Sequence, residues 1–151
     1  MTLFDRVFRK KGLLWLAFAL IAALLLFALT RGLFAAKPDL SSSEGRQRYL
    51  SSLGWEIDPE SEQHKTVRIP AKLEGVLAEY NELQLSEGRD LTKHCGERCE
   101  QYSYTVTNYP DETQTVLVTL YLQGKELIAG DVHSTALDGF MVGLGGTKNE
   151  K

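Results

Sequence analysis

The 151 residues include 17 basic and 20 acidic side chains, and the two signs are spread unevenly along the chain. From Lys37 onward there are 12 basic and 19 acidic residues, and an acidic surface of this kind repels phosphate backbones, which argues against a nucleic acid partner. The 115 residues of this part are enough for one ordinary domain and too few for two.

An uncharged run over 12–30 lies between Lys11 and Arg31. Its 19 residues, rising about 1.5 Å each as a helix, cover roughly 28 Å, close to the ~30 Å hydrocarbon core of a bilayer. Basic residues are concentrated before the run, so the positive-inside rule keeps the N-terminus in the cytoplasm and sends the rest of the chain across the membrane. We therefore predict a basic cytoplasmic segment over 1–11 and a single transmembrane anchor over 12–34, which places the protein in the cell membrane.

A cleaved signal peptide is the alternative to an anchor. Its apolar region spans about 7–15 residues, shorter than the run in this chain, and Phe34 stands where a cleavage site needs a small residue. After the anchor, the composition predicts a polar linker over 35–43, an extracytoplasmic domain over 44–144 and a disordered tail over 145–151.

Two helices and a short strand are predicted in the first half of the outer domain. Ser41 and Glu44 have the spacing of a capping box, which predicts a helix that ends near Gly54. A short strand over 67–69 follows, and Pro70 suits the first turn of a second helix. Apolar residues then recur at helical spacing and predict the buried face of that helix: Leu73, Val76, Leu77 and Tyr80.

The second half of the outer domain alternates with the period-two pattern of strands. The alternation covers 102–107, 115–122 and 125–132, and the last two segments are joined by a tight Gln-Gly turn. The fold class predicted is therefore α+β: an N-terminal transmembrane helix, then two helices packed on a three- to four-stranded antiparallel meander sheet. The 67–69 strand fits either edge of this sheet.

Six short stretches of the outer domain, each weak alone, form a specific set: 53–59, 67–70, 80–81, 88–91, 102–110 and 130–141. The set resembles an uncharacterised, clostridial-type family of membrane-anchored bacterial proteins of unknown function. The resemblance implies a short protein with an N-terminal membrane helix and one outer domain, and it implies no enzyme activity, cofactor or catalytic residue. The family pattern has a tyrosine or an aliphatic residue where this chain has Cys95 and Cys99, so the two cysteines are a poor guide to a shared function.

Cys95 and Cys99 are the sharpest chemical feature of the sequence. Outside the membrane they form a candidate disulfide, because Gly96 allows the tight turn that the pairing needs. Across a straight strand the two residues would lie about 13 Å apart, too far for a bridge. Two reduced thiols are an alternative, and so is a metal or thiolate site with His94, although zinc sites usually take four ligands. No metal and no cofactor is predicted.

Five side chains are candidate ligand-facing residues: Tyr102, Tyr104, Asp131, His133 and Asp138. The two tyrosines share one strand face, where they could stack on a ligand, although such rings are more often core residues. The two carboxylates border a loop and could bind a cation or act as acid and base, although Asp-Gly pairs are also ordinary turn residues. Ser134 follows His133, and because adjacent strand residues point to opposite faces, no Ser/His/Asp catalytic set is expected.

The sequence contains no catalytic constellation, so we assign no catalytic residue. We expect a non-enzymatic module whose partners are the membrane and a protein, peptide or envelope component. A further possibility is that the alanine-rich anchor itself packs against partner helices. The alternative function is an envelope enzyme or metal-binding domain that uses one of two groups: His94, Cys95 and Cys99, or Asp131, His133 and Asp138.

Overall fold

The structure, a computed structural model, describes residues 39–110 and 114–146. The predicted cytoplasmic segment, the anchor over 12–34 and the end of the predicted tail lie outside these residues. Among the residues that are described, no helix combines the length and the apolar character needed to cross a membrane.

The described chain forms two α-helices, one 3₁₀ helix and five β-strands. In chain order they are α1 Ser43–Ser52, β1 Ile57–Arg68, α2 Val76–Ser86, the 3₁₀ helix Leu91–His94, β2 Arg98–Val106, β3 Val116–Gln123, β4 Glu126–Ser134 and β5 Met141–Gly143. The strands form one sheet in the order β1-β2-β3-β4-β5, and every neighbouring pair is antiparallel. The α+β class with two helices on an antiparallel sheet is confirmed, but the prediction of three to four strands is wrong because the sheet has five.

The additional strand length lies mainly in β1, which extends the predicted 67–69 segment to 12 residues. β1 pairs with β2, and its register shifts between Asp58 and Gln63, where the strand bulges. It is an edge strand with mostly exposed, charged or polar residues, a composition that discourages edge-to-edge association. Such a strand has no period-two apolar pattern, which is why the sequence predicts only the end of β1, at the 67–69 segment.

One face of the sheet carries the main hydrophobic core, which α1 and the segments around it cover. The buried members of this core are Leu40, Leu50, Trp55, Tyr104, Val106, Val116, Val118, Leu120, Leu122, Val132 and Leu144. The indole N–H of Trp55 donates to the carbonyl oxygen of Leu144 at 2.8 Å, so the largest core side chain also ties the α1–β1 connection to the end of β5. Ser42, rather than Ser41, caps α1 by accepting the Gly45 N–H.

A buried polar network joins α1 to the first two strands. Arg46 in α1 is only 3% exposed. Its Nε donates to the Tyr104 hydroxyl at 2.7 Å, and its Nη2 lies 3.1 Å from the Glu62 carboxylate. The Tyr104 hydroxyl in turn donates to Glu62 at 2.5 Å, so all three side chains satisfy one another.

The second helix begins later than predicted. Gly75, with φ of +57°, precedes α2, and the helix starts at Val76 rather than near Pro70. Val76 and Leu77 are 79% and 39% exposed, so the prediction that they lie on the buried face is wrong. Tyr80 does pack inward, against a smaller cluster on the second face of the sheet.

Candidate functional site

The second face of the sheet, opposite the main core, forms a groove with α2. The groove has a volume of about 900 Å³, at the upper end of the range of small-molecule sites. Its floor is built from strand residues that alternate with the main core, among them Gln101, Thr119, Tyr121 and Ala129. Its roof is mostly apolar and comes from α2 and the segment before it, with Leu73, Val76, Leu77, Tyr80 and Leu83.

Gln84 fixes α2 against the sheet. β5 pairs only with 131–133 of β4, so the neighbouring Gly130 has no strand partner on that side. The fully buried Gln84 amide takes this place: its Nε2 donates to the Gly130 carbonyl, and its Oε1 accepts the Gly130 N–H, both at 3.0 Å. A Cβ at position 130 would lie 2.5 Å from the Leu144 side chain, so glycine here leaves room for Leu144 to pack in the main core.

A polar array closes one end of the groove. Asp131 is 2% exposed, and its Oδ1 accepts a hydrogen bond from the Tyr80 hydroxyl at 2.7 Å. Its Oδ2 lies 2.7 Å from His133 Nδ1, and since a carboxylate only accepts, Nδ1–H is the donor. Within this array, the second ring nitrogen of His133, Nε2, has no partner. The His133 side chain is 27% exposed and lines the groove.

The electrostatics of the array favour a protonated tyrosine and a more basic histidine. The hydrogen bond from His133 to Asp131 raises the pKa of the imidazole. Burial, together with the adjacent Asp131 carboxylate, raises the pKa of Tyr80 far above its usual value. Burial and the same carboxylate raise the pKa of Tyr121 to about 12. The two tyrosines therefore act as neutral walls, and their rings meet edge to face at 6.3 Å.

Of the five predicted ligand-facing residues, the structure brings Asp131 and His133 together in the groove. Asp138 does not join them, because it is exposed on the loop between β4 and β5 and is not part of the groove lining. Ser134 points away from His133, and its hydroxyl donates to Gln114 at 2.6 Å, so the two side chains do not form a catalytic pair.

The two candidate tyrosines lie on the other face of the sheet, and Tyr104 takes the core position that was the alternative to facing a ligand. Tyr104 is fully buried, and burial raises its pKa to about 12. Tyr102 is packed between side chains of the domain: its ring stacks on His64 at 4.5 Å, and the Arg46 guanidinium lies 3.7 Å from its centroid. Both rings therefore serve the core rather than a binding surface.

The two cysteines carry free thiols in the structure, so the candidate disulfide is not formed there. Gly96 does adopt a positive φ of +81°, which provides the turn between them. Cys99 is 2% exposed in β2, and burial raises the pKa of its thiol, which makes it unreactive. Within 39–110 and 114–146, no three His, Cys, Asp or Glu side chains converge as metal ligands.

Sequence reasoning missed the residues that connect α2 to the sheet. The helical pattern predicts that Tyr80 is buried, and a buried tyrosine hydroxyl needs a hydrogen-bond partner. That partner is Asp131, which lies 51 residues further along the chain, so no local pattern identifies it. Gln84 carries no signal, because an isolated glutamine in a helix is typical of an exposed position.

No family model, curated protein or solved structure matches this chain. The resemblance to the clostridial-type membrane-anchored family therefore stays a prediction.

Proposed function

We propose that this chain is a single-pass, membrane-anchored protein whose extracytoplasmic domain binds a ligand in the groove between α2 and the sheet, without catalysing a reaction. The observation that carries the proposal is the groove itself, with its volume of about 900 Å³ and its mostly apolar roof. Pockets of this size and lining are the usual sites of small-molecule binding.

Exposed apolar side chains support a binding role for the groove. Val76, Leu77 and Met141 line it, and they are 79%, 39% and 52% exposed. A cluster of exposed apolar residues around a concave surface is typical of an interaction site, whereas single exposed residues are ordinary. Here the three side chains line the same groove, so an apolar ligand in it would shield apolar surface from water.

The uncharged run over 12–30 and its basic flank support the membrane part of the proposal. The same features support membership of the clostridial-type family, which we also keep as a proposal.

The second candidate function is an envelope enzyme that performs proton transfer. It is favoured by the Asp131–His133 pair, because an imidazole oriented by a carboxylate is a general base. The residues that line the groove include no serine or cysteine, the side chains that most often act as nucleophiles in acyl transfer. Chemical conversion of the bound ligand that is lost in His133→Gln, in a variant that still binds this ligand, would favour the enzyme.

Site-specific photocrosslinking in native membranes tests the proposal. The photoreactive residue p-benzoyl-phenylalanine replaces Leu77, which lines the groove and is 39% exposed. The matched control places it at Leu53, which is 37% exposed and lies outside the groove. We expect an adduct of defined mass at position 77 and none at position 53. Equal labelling at both positions, or none at position 77, would contradict the proposal.

A further inference from the structure

His133 brings to the groove a hydrogen-bonding atom that no part of the described chain occupies. Its Nδ1–H is bound to Asp131 at 2.7 Å, which orients the ring and leaves Nε2 as its remaining polar atom. Neither a hydrogen bond nor an ion pair joins Nε2 to any residue within 39–110 and 114–146. Because the side chain lines the groove and is 27% exposed, a ligand in the groove has access to this ring.

The neighbours of His133 on the sheet are apolar. His133 stands opposite Leu117 on β3 and opposite Met141 on β5, and residues directly opposite one another share a face of the sheet. Leu77 on α2 belongs to the same groove lining. A hydrogen bond in such surroundings is shielded from water and is stronger than one at an open surface. A ligand that bonds His133 must therefore carry apolar groups beside its polar atom.

The exposed charges of the lining cancel. Lys65 and Glu79 are both exposed, carry opposite charges, and form no ion pair with a residue that the structure describes. Arg68 also borders the groove, but it lies three residues from Lys65 on the same strand. Strand alternation therefore turns its side chain to the other face of the sheet. The groove thus has no cationic end that would select an anion.

The buried carboxylate of Asp131 does not select a cation either. Its two oxygens are occupied by Tyr80 and His133, and its side chain is 3% exposed. The other carboxylate of the lining, Glu79, is balanced by Lys65. An ionised ligand would lose its hydration here without gaining an uncompensated partner charge, and such a loss is costly. The groove therefore favours an uncharged ligand.

A hydroxyl group fits His133 in both protonation states of the imidazole. In the neutral ring Nδ1–H donates to Asp131, so Nε2 carries a lone pair and bonds a donor. In the imidazolium, Nε2–H is itself a donor and bonds an acceptor. The hydrogen bond to Asp131 raises the pKa of the imidazole, so this second form is also accessible near neutral pH. A hydroxyl both donates and accepts, whereas an ether or a ketone only accepts.

From these observations we propose that the groove binds an uncharged, mostly apolar alcohol, whose hydroxyl bonds His133 Nε2 and whose apolar body lies beneath α2. The proposal rests on the proposed function of the groove. It adds the chemical class of the ligand and names His133 as the residue that selects it. Leu73, Leu77 and Leu83 line the groove on the side of α2 and would contact the apolar body.

Nitrogen NMR of the full chain, with isotope-labelled histidine and in phosphatidylcholine nanodiscs, tests the contact with octanol as the probe. The spectra are recorded above the pKa of the His133 imidazole, where Nε2 carries no proton. We expect octanol to shift the Nε2 resonance of His133 upfield, because an unprotonated ring nitrogen is shielded when it accepts a hydrogen bond. His64 and His94 do not line the groove, so their resonances should not move. His64→Phe and His94→Gln assign the three histidines.

Isothermal titration calorimetry measures how much His133 contributes to selecting the hydroxyl. Heptyl methyl ether matches octanol in its number of heavy atoms but has no donor, and the heats of empty nanodiscs are subtracted for both probes. The ratio of octanol affinity to ether affinity is compared between the parent chain and His133→Phe, so that differences in hydration of the probes cancel. We expect a ratio about fivefold larger in the parent, equivalent to a net hydrogen bond of about 1 kcal/mol. The matched control, His64→Phe, lies outside the groove lining and should leave the ratio unchanged.

Two charged probes test the preference for an uncharged ligand. Octanoate and octylammonium are titrated under the same conditions, and both should bind more weakly than octanol because the groove has no uncompensated charge to offer. Tighter binding of either ion than of octanol would overturn the uncharged class.

The outcomes separate this inference from the proposed function. Octanol that binds without moving the Nε2 resonance of His133 would overturn the hydroxyl contact, and so would an unchanged affinity ratio in His133→Phe, while the groove remains a binding site. If His133→Phe does not fold, the resonance of the parent chain decides. If neither octanol nor the ether binds, the inference is wrong as well. In that case an adduct at Leu77 keeps the proposed function, and its absence ends both.

Discussion

Replacing Gln84 with alanine should detach α2 from the sheet, because one buried amide supplies two hydrogen bonds to the backbone of Gly130. Without the amide, the Gly130 N–H and C=O are left without partners in a buried position. Each such group costs about 1–3 kcal/mol, so we expect a loss of about 2–6 kcal/mol in the free energy of unfolding. The total stability of a domain is about 5–15 kcal/mol, so the effect is large.

Urea unfolding of the full chain measures this loss, with Trp55 as the fluorescent reporter in a Trp15→Phe background. Trp55 is 2% exposed in the main core, so its emission changes on unfolding. The control is Gln63→Ala, at an exposed position of β1, which should change stability by no more than about 0.5 kcal/mol. A loss below about 1 kcal/mol in Gln84→Ala would refute the reasoning that this amide holds the roof of the groove.

Three further predictions concern packing, titration and thiol reactivity. Gly45→Ala should destabilise the domain by about 1–3 kcal/mol, despite the better helix propensity of alanine, because its Cβ would overlap the Asp39 carbonyl. Urea unfolding of the same kind measures this loss. The pKa of His133, followed by NMR, should lie above the usual histidine value of about 6.5 and should fall in Asp131→Asn. Ellman's reagent should label Cys95 before Cys99 in the folded chain, because Cys99 is buried and its thiol pKa is raised.

Each of these three predictions would be contradicted by a different result. A Gly45→Ala variant as stable as the parent would show that the start of α1 moves freely. Since the folded pKa of His133 is raised, its interaction with Asp131 stabilises the fold fully below the unfolded pKa and is lost as pH rises through the folded pKa. Stability that increases with pH in that window, relative to Asp131→Asn, would contradict the pairing. Equal labelling of the two thiols would show that β2 opens readily.

The sequence predicts the central part of the sheet well because the apolar residues of β2 and β3 alternate between the two faces, although β4 contains a register shift opposite Tyr121 and Leu122. Val116, Val118 and Leu120, for example, all enter the main core. Most of the β1 edge strand escapes detection and only its end near Val67 is predicted, since edge strands replace apolar residues with charged ones. The sequence predicts helix α2 but starts it too early, and part of its apolar face is exposed at the groove rather than buried. A helical apolar pattern does not distinguish a core face from a binding face.

The site was predictable only where its members are close in the sequence. Asp131 and His133 are two residues apart on one strand, so the strand period places them on the same face. Tyr80 and Gln84 come from a helix that crosses this face, and no local pattern gives the register of that crossing. The partner of Tyr104 is equally hidden from the sequence, because its hydroxyl accepts a hydrogen bond from Arg46, which is 58 residues away.

The central claim is that the groove between α2 and the sheet holds a ligand, and native mass spectrometry of the full chain purified from its own membranes tests it most directly. The account predicts a copurified small molecule that is lost in Leu77→Trp, where the indole would fill the groove, and retained in the matched variant Leu53→Trp. A bound molecule that both variants retain, or a chain that carries no ligand before and after mild extraction, would contradict it.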